Sequence, residues 1–238
     1  MTDLPYKRIL LKLSGERLGG DGDEILSVND IAHLAEEIKS IHDAGAEVGV
    51  VLGAGNIIRG SEAAEAGFEE AQAHYMGMLG TVINALAMQS ALEQKGVYTR
   101  VMSAIEMQSV AEPYIRRRAI RHMEKKRVVI FAGGTGNPFF TTDTAGALRA
   151  VEIGADLLVK ATKVDGIYTA DPKKDPNAKH LSEITYKDIL VDNLKVMDGA
   201  AIALCREHSL PLMVCDSSEK GGFIKAINGD AKRTIVTG

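Results

Sequence analysis

Residues 127–143 read RVVIFAGGTGNPFFTTD. A nearly continuous apolar run (127–132) gives way to a glycine-rich turn. Thr142 or Asp143 then opens a helical pattern that runs to Gly154. An apolar run without strict alternation is the mark of a strand covered on both faces, as in a parallel sheet. The same cadence of strand, polar loop and helix recurs at RILLKLSGE (8–16), EVGVVLGAGN (47–56) and DLLVKATKVDG (156–166). Further strands are predicted at 97–102, 211–215 and 234–237. Helical faces fall between them. Asp30 is a candidate cap for a helix carrying Ile31, Leu34, Ile38 and Ile41, ended by Gly45. A longer pattern, about 69–95, carries Met76, Leu79, Val82, Ile83, Leu86 and Leu92. Pro113 suits the first position of a helix reaching about Met123. Others are predicted near 187–193, 198–208 and 222–228. Alternation of this kind predicts an α/β fold, a three-layer α/β/α sandwich around a mostly parallel sheet.

The chain has 238 residues, which fits one large domain better than two small ones. Its formal charge of −4 excludes a generally basic binder of nucleic acid or anionic membrane. The segment RRRAIRHMEKKR (116–127) is locally basic but lacks interleaved aromatics, so a solvated helix face outweighs a nucleic-acid module. Cys205 and Cys215 lie in apolar surroundings and read as small buried hydrophobes. No signal-peptide layout and no run of 18 apolar residues occurs, so a cytoplasmic protein without membrane contact is expected. The stretch TKVDGIYTADPKKDPNAK (162–179) reads as a long loop, either functional or a disordered, solvated excursion.

Ligands of open α/β sheets bind beyond the carboxyl ends of the strands. Four glycine-rich or polar loops fall there: 12–16, 53–60, 133–143 and 161–166, with Lys12, Arg59, Lys160 and Lys163 beside them. Glycines let backbone N–H groups approach an anion, and helix N-termini add positive charge. Four such loops at one edge point to polyphosphate. There is no Gly-Lys dipeptide and hence no P-loop. The protein-kinase signature, CxxC pair, HExxH and G-x-S-x-G motifs are also missing, so no metal ligand set is assigned.

The ordered blocks KLSGE (12–16), GAGNIIRG (53–60), MGMLGTVINALAMQ (76–89), GTGNPFFTTD (134–143), KATKVDGIYTADP (160–172) and KVMDGAA (195–201) resemble the bacterial UMP kinases of the amino acid kinase family. The resemblance runs from about Tyr6 to about Thr237. It implies one amino acid kinase-like domain (1–238), with acceptor UMP mainly on residues 1–150 and ATP mainly on 151–238. The implied reaction moves the γ-phosphoryl group of Mg·ATP to UMP, with Mg2+ carried by the nucleotide. Same-fold kinases acting on another acceptor, and a non-catalytic nucleotide-binding regulator, are the competing readings.

Residue by residue, the resemblance implies catalytic roles for Lys12, Arg59, Asp143, Lys160 and Asp198. Asp143 either caps its helix or orients the lysines. Asp198 is a nucleotide-side acid or a plain helix cap. The ATP side takes Lys12, Leu13, Ser14, Gly15, Gly55, Arg59, Thr162, Tyr168 and Asp171. The UMP side takes Ala54, His74, Thr135, Gly136, Asn137, Pro138, Phe139, Phe140, Thr141 and Thr142. Ala54 stands where the family commonly has Gly, and His74 where it commonly has Asp. Phe139 and Phe140 either wall the pyrimidine or join the core. The family also implies a homohexamer with GTP and UTP as effectors, and Arg100 and Arg127 match its effector-site basic positions.

Overall fold

A computed structural model describes residues 4–20, 24–58, 67–172, 174–192, 194–216 and 218–238. The strands are β1 (Arg8–Leu13), β2 (Glu47–Leu52), β3 (Thr99–Ser103), β4 (Glu112–Pro113), β5 (Val128–Ala132), β6 (Leu157–Thr162), β7 (Ile167–Tyr168), β8 (His180–Leu181), β9 (Glu183–Thr185), β10 (Leu212–Asp216) and β11 (Arg233–Thr237). The helices are α1 (Val28–Asp43), α2 (Glu70–Gln94), α3 (Arg116–Glu124), α4 (Thr142–Ile153), α5 (Tyr186–Val191), α6 (Gly199–Glu207) and α7 (Gly222–Asn228). Among the described residues nine strands form one sheet in the order β4-β3-β5-β2-β1-β6-β10-β11-β9. It is parallel from β4 to β10, and β11 runs antiparallel to β10.

The central strand shows why the apolar runs are continuous. Ile9, Leu11 and Leu13 join the core beneath α1, α2 and α7, and Leu10 joins the core on the opposite face. That second core takes Met123 of α3, Ala147 of α4, Tyr186 of α5 and Cys205 of α6. The expected three layers are therefore present. Both cysteines are buried, and burial pushes the Cys205 thiol up to about 11 and the Cys215 thiol up to about 12.

Several boundaries differ from the sequence reading. Ser27, not Asp30, caps α1 by accepting from the Asp30 N–H, and Asp30 places negative charge in the first turn. Pro113 does not open a helix. Residues 112–113 are captured by β3 as an edge strand, where a missing N–H costs little, and α3 begins at Arg116. α4 opens at Thr142 and ends at Gly154 as expected, but its cap is Thr141, which accepts from the N–H groups of Asp143 and Thr144, and not Asp143. The stretch 162–179 is not an open loop. Its middle leads from β7 into β8, paired antiparallel with Tyr168 opposite His180.

Phe223 is fully buried where α7 meets the sheet. Phe223→Ala should destabilise the fold by about 3–5 kcal/mol. Urea unfolding should show this as a lowered midpoint with an unchanged slope.

Candidate functional site

Register decides the centre of the site. Lys12 of β1 and Lys160 of β6 are direct partners across a parallel ladder, so two lysines emerge side by side at the carboxyl edge. Asp143, in the first turn of α4, answers both. Its Oδ1 lies 2.5 Å from Lys12 Nζ and its Oδ2 lies 2.7 Å from Lys160 Nζ. The three side chains are only 11%, 14% and 17% exposed for Lys12, Asp143 and Lys160. Burial raises the Asp143 carboxyl, but the charges of Lys12 and then Lys160 outweigh it and hold the group below the usual carboxylate range. Burial lowers Lys160, opposed by Asp143 and aided by Lys12. Lys160 also donates to the Val196 carbonyl at 2.5 Å.

Asp198 reaches this group at one remove. It caps α6 by accepting from the Ala201 N–H at 2.9 Å. It also accepts from the hydroxyls of Thr141 at 2.5 Å and Thr144 at 2.8 Å. The cap of α4 is thus tied to the cap of α6, and the Asp198 charge favours the ammonium form of Lys160.

Two cavities adjoin this group, one through Thr142, the residue before Asp143, and the other through Lys160. One, of about 280 Å³, is lined by Ala54, Gly55, Ile58, His74, Gly77, Met78, Thr81, Gly134, Phe140, Thr141 and Thr142. The other, of about 560 Å³, has Lys160, Thr162, Tyr168, Asp171, Leu194, Val196 and Val214 in its wall. Gly15 closes the gap between the first two strand-end loops. A Cβ there would stand 2.6 Å from the Gly53 carbonyl and 2.7 Å from the Gly55 nitrogen. Gly80 of α2 plays the same part toward Ala54, where an added Cβ would stand 2.9 Å from the alanine methyl.

The loop after β5 is bent by left-handed residues: Gly133, Gly134, Gly136 and, with a side chain, Phe139 at φ 68°. Phe139 and Phe140 are 62% and 48% exposed, so neither belongs to the core. Phe140 lines the smaller cavity, and the Phe139 ring lies 5.4 Å from the ring of His74. Thr135 accepts from the Asn137 N–H at 3.1 Å, a local turn that carries Gly136 and leads to Pro138.

On the other side, the Thr162 hydroxyl donates to the Val164 carbonyl at 2.6 Å. Tyr168 donates to Asp165 at 2.7 Å and packs edge-on against His180. Ser14 precedes a 3₁₀ turn at Gly15–Leu18. The Leu13 side chain is buried in the core, which leaves only its backbone at the strand end. Arg59 lies outside the described residues.

Arg100 and Arg127 line neither cavity, and Glu112 links them, directly to Arg100 and through His122 to Arg127. Arg100 Nε lies 3.6 Å from Glu112, and Arg127 bonds to His122 at 3.0 Å, whose other ring nitrogen meets Glu112 at 3.1 Å. The basic segment of α3 is largely solvated: Arg116, Arg117 and Arg118 are exposed.

Sequence reasoning missed Thr81, Asn84, Thr144 and the Val196 carbonyl. A signal existed for the first two, because they are buried polar residues on an otherwise apolar helix face. The carbonyl had none.

Asp143→Asn keeps the shape but leaves two largely buried ammoniums facing an amide. Breaking such a pair costs about 3–5 kcal/mol. The carboxyl is held below its ordinary value, so its stabilisation is complete above an unfolded pKa of about 3.9 and is lost as pH falls through the lower folded value. Urea unfolding should therefore show a gap between the two proteins at pH 7 that narrows below about pH 4. A gap independent of pH would contradict this pairing. The amino acid kinase family model matches residues 7–216. The UMP kinase of Bacillus anthracis is 41% identical, with a TM-score of 0.94, over 98% of this chain and 96% of that one. The UMP kinase of Ureaplasma parvum is 38% identical, also with a TM-score of 0.94, over 99% of this chain and 100% of that one. A family match over most of the length, joined to two end-to-end likenesses in fold, establishes that this chain belongs to the amino acid kinase family.

Proposed function

We propose that the protein is a UMP kinase, transferring the γ-phosphoryl group of Mg·ATP to UMP to give ADP and UDP. The observation that carries this reading is the Lys12–Asp143–Lys160 group, with Lys160 in the wall of one cavity and Thr142, the residue before Asp143, in the wall of the other. The chemistry asks for charge neutralisation and alignment rather than covalent participation. UMP brings a phosphate of nearly two negative charges, and ATP brings about four.

The smaller cavity, built from residues 54–142, is assigned to UMP, and the larger, built from residues 160–214, to the ATP nucleoside. This division within one domain supports the assignment of about 1–150 to the acceptor and 151–238 to the donor. Lys12 and Lys160 are the catalytic cations. They carry two positive charges against one from Asp143, and their partial burial strengthens the remaining field on the transferring group. Asp143 orients both ammoniums, and Asp198 positions the start of α4 through Thr141 and Thr144. Backbone N–H groups at Ser14–Gly15 and Ala54–Gly55 are assigned to phosphate oxygens, with Arg59 as a further cation. Thr135–Thr142, His74 and the Phe140 ring enclose the nucleoside of UMP. Thr162, Tyr168 and Asp171 belong to the ATP side. Among the described residues no group of three or more His, Cys, Asp or Glu side chains gathers as a metal cage. Mg2+ is treated as part of the Mg·ATP substrate, held by phosphate oxygens and water.

We assign the protein to the cytoplasm; no helix among the described residues is long and apolar enough to cross a membrane. GTP and UTP are proposed as effectors acting through Arg100 and Arg127. A homohexamer is proposed too. Tyr75, Leu79, Ile83 and Leu86 form an exposed apolar stripe along α2, and Phe68 lies just before that helix, also exposed. Contiguous apolar faces of this kind mark association surfaces.

Coupled ADP release with Mg·ATP should show turnover with UMP and little with CMP, dUMP, AMP, GMP, acetylglutamate or aspartate. Lys12→Ala should lower kcat by about 10²–10³-fold. Turnover with another acceptor would favour a same-fold kinase, with His74 as the first residue to exchange for Asp. Light scattering should show a hexamer, and Leu79→Asp combined with Ile83→Asp should reduce the assembly to smaller species.

A further inference from the structure

Helix α2 carries two polar side chains on its buried face: Thr81, 2% exposed, and Asn84, fully buried. Burying such groups is costly unless every hydrogen bond is made. Thr81 gives one of its two bonds to a loop, and Asn84 gives all of its bonds to residues outside the helix. The Thr81 hydroxyl donates to the Met78 carbonyl at 2.7 Å and accepts from the Gly133 N–H at 2.9 Å. Gly133 is the first left-handed residue after β5, so this bond holds the chain where it turns into the loop over the smaller cavity.

Asn84 does the same for the other loop. Its amide nitrogen donates to the Gly53 carbonyl at 2.7 Å. Its amide also pairs with Asn56 in both directions, at 2.8 and 3.0 Å. Asn56 in turn donates to the Ile25 carbonyl at 2.7 Å. Gly53 stands at the junction of both substrates' loops, against Gly15 and close to Thr142. A carbonyl oxygen free to face a phosphate would repel it. Tying the Gly53 oxygen to Asn84 keeps that acceptor turned into α2, so the loop offers donors to the anion.

We infer that Thr81 and Asn84 are positioning residues for phosphoryl transfer, acting through residues 53–56 and 133–136 without touching the reacting atoms. This rests on the UMP kinase reading above. Thr81 governs the acceptor loop, and Asn84 governs the junction between donor and acceptor.

The test is steady-state kinetics on full-length protein, with each substrate varied in turn. Thr81→Val keeps the side chain's shape and removes both hydrogen bonds. It should raise KM for UMP about tenfold and leave KM for ATP within twofold; Thr81→Ser should restore the original value. Asn84→Asp replaces the donor to Gly53 with an acceptor, and should lower kcat at least tenfold while both KM values change less. Thermal unfolding of every variant accompanies the kinetics, and Thr81→Ala, which also removes both hydrogen bonds but sets no second methyl against the Gly133 N–H, keeps the test open where Val unfolds the protein. Equal changes in both KM values, or a fall in melting temperature without the split between KM and kcat, would overturn the inference and leave two structural residues. No turnover of UMP by the unsubstituted protein would overturn the function reading and this inference with it.

Discussion

Two ammonium groups on neighbouring strands of a parallel sheet cannot be buried together unless a counter-charge is brought to them. The register of β1 against β6 places Lys12 beside Lys160, and Asp143 meets both. Much of the carboxyl edge follows from that requirement. α4 must start close above β1, which Gly146 permits, since a Cβ there would press on Lys12 Cγ at 3.3 Å. The first turn of α4 must be fixed in angle, which the Thr141 cap and its bond to Asp198 achieve. The same Asp198 begins α6, so the helix layer on that face is aligned to the charges rather than to packing alone.

The opposite face contributes geometry of a different kind. α2 approaches the strand ends through Gly80 and supplies hydrogen bonds through Thr81 and Asn84. Its mean direction is set by apolar burial, but its polar residues decide how the glycine-rich loops are presented. Glycine loops have little conformational preference of their own. Here their shape is imposed from outside, by a helix whose other face is an exposed apolar stripe.

The sequence was most legible where backbone pattern and chemistry coincide. Continuous apolar runs marked the central strands, and the lysines at 12 and 160 were visible because each follows such a run. Asp143 was identifiable as an acid that could orient them. Their mutual distance was not, because register between β1 and β6 depends on residues about 150 positions apart. The hairpin of β7 and β8 was missed because a two-residue strand leaves no periodicity. Pro113 misled for a comparable reason: the pairing with β3 that captures it is tertiary. The Val196 carbonyl was beyond reach in principle, since a main-chain group that holds a lysine has no side-chain signature.

The two ends of the sheet carry a consequence for the protein in crowded solution. A long parallel sheet with open margins is a template for strand addition by any unfolded neighbour. Here one margin is β4, two residues long with a proline in it, and the other is β9, three residues long and flanked directly by α5. Neither margin offers enough consecutive unpaired peptide groups to seed a growing ladder. The same proline that interrupts a helical reading of the chain thus makes one open edge of the sheet a poor template for edge-to-edge addition of further strands.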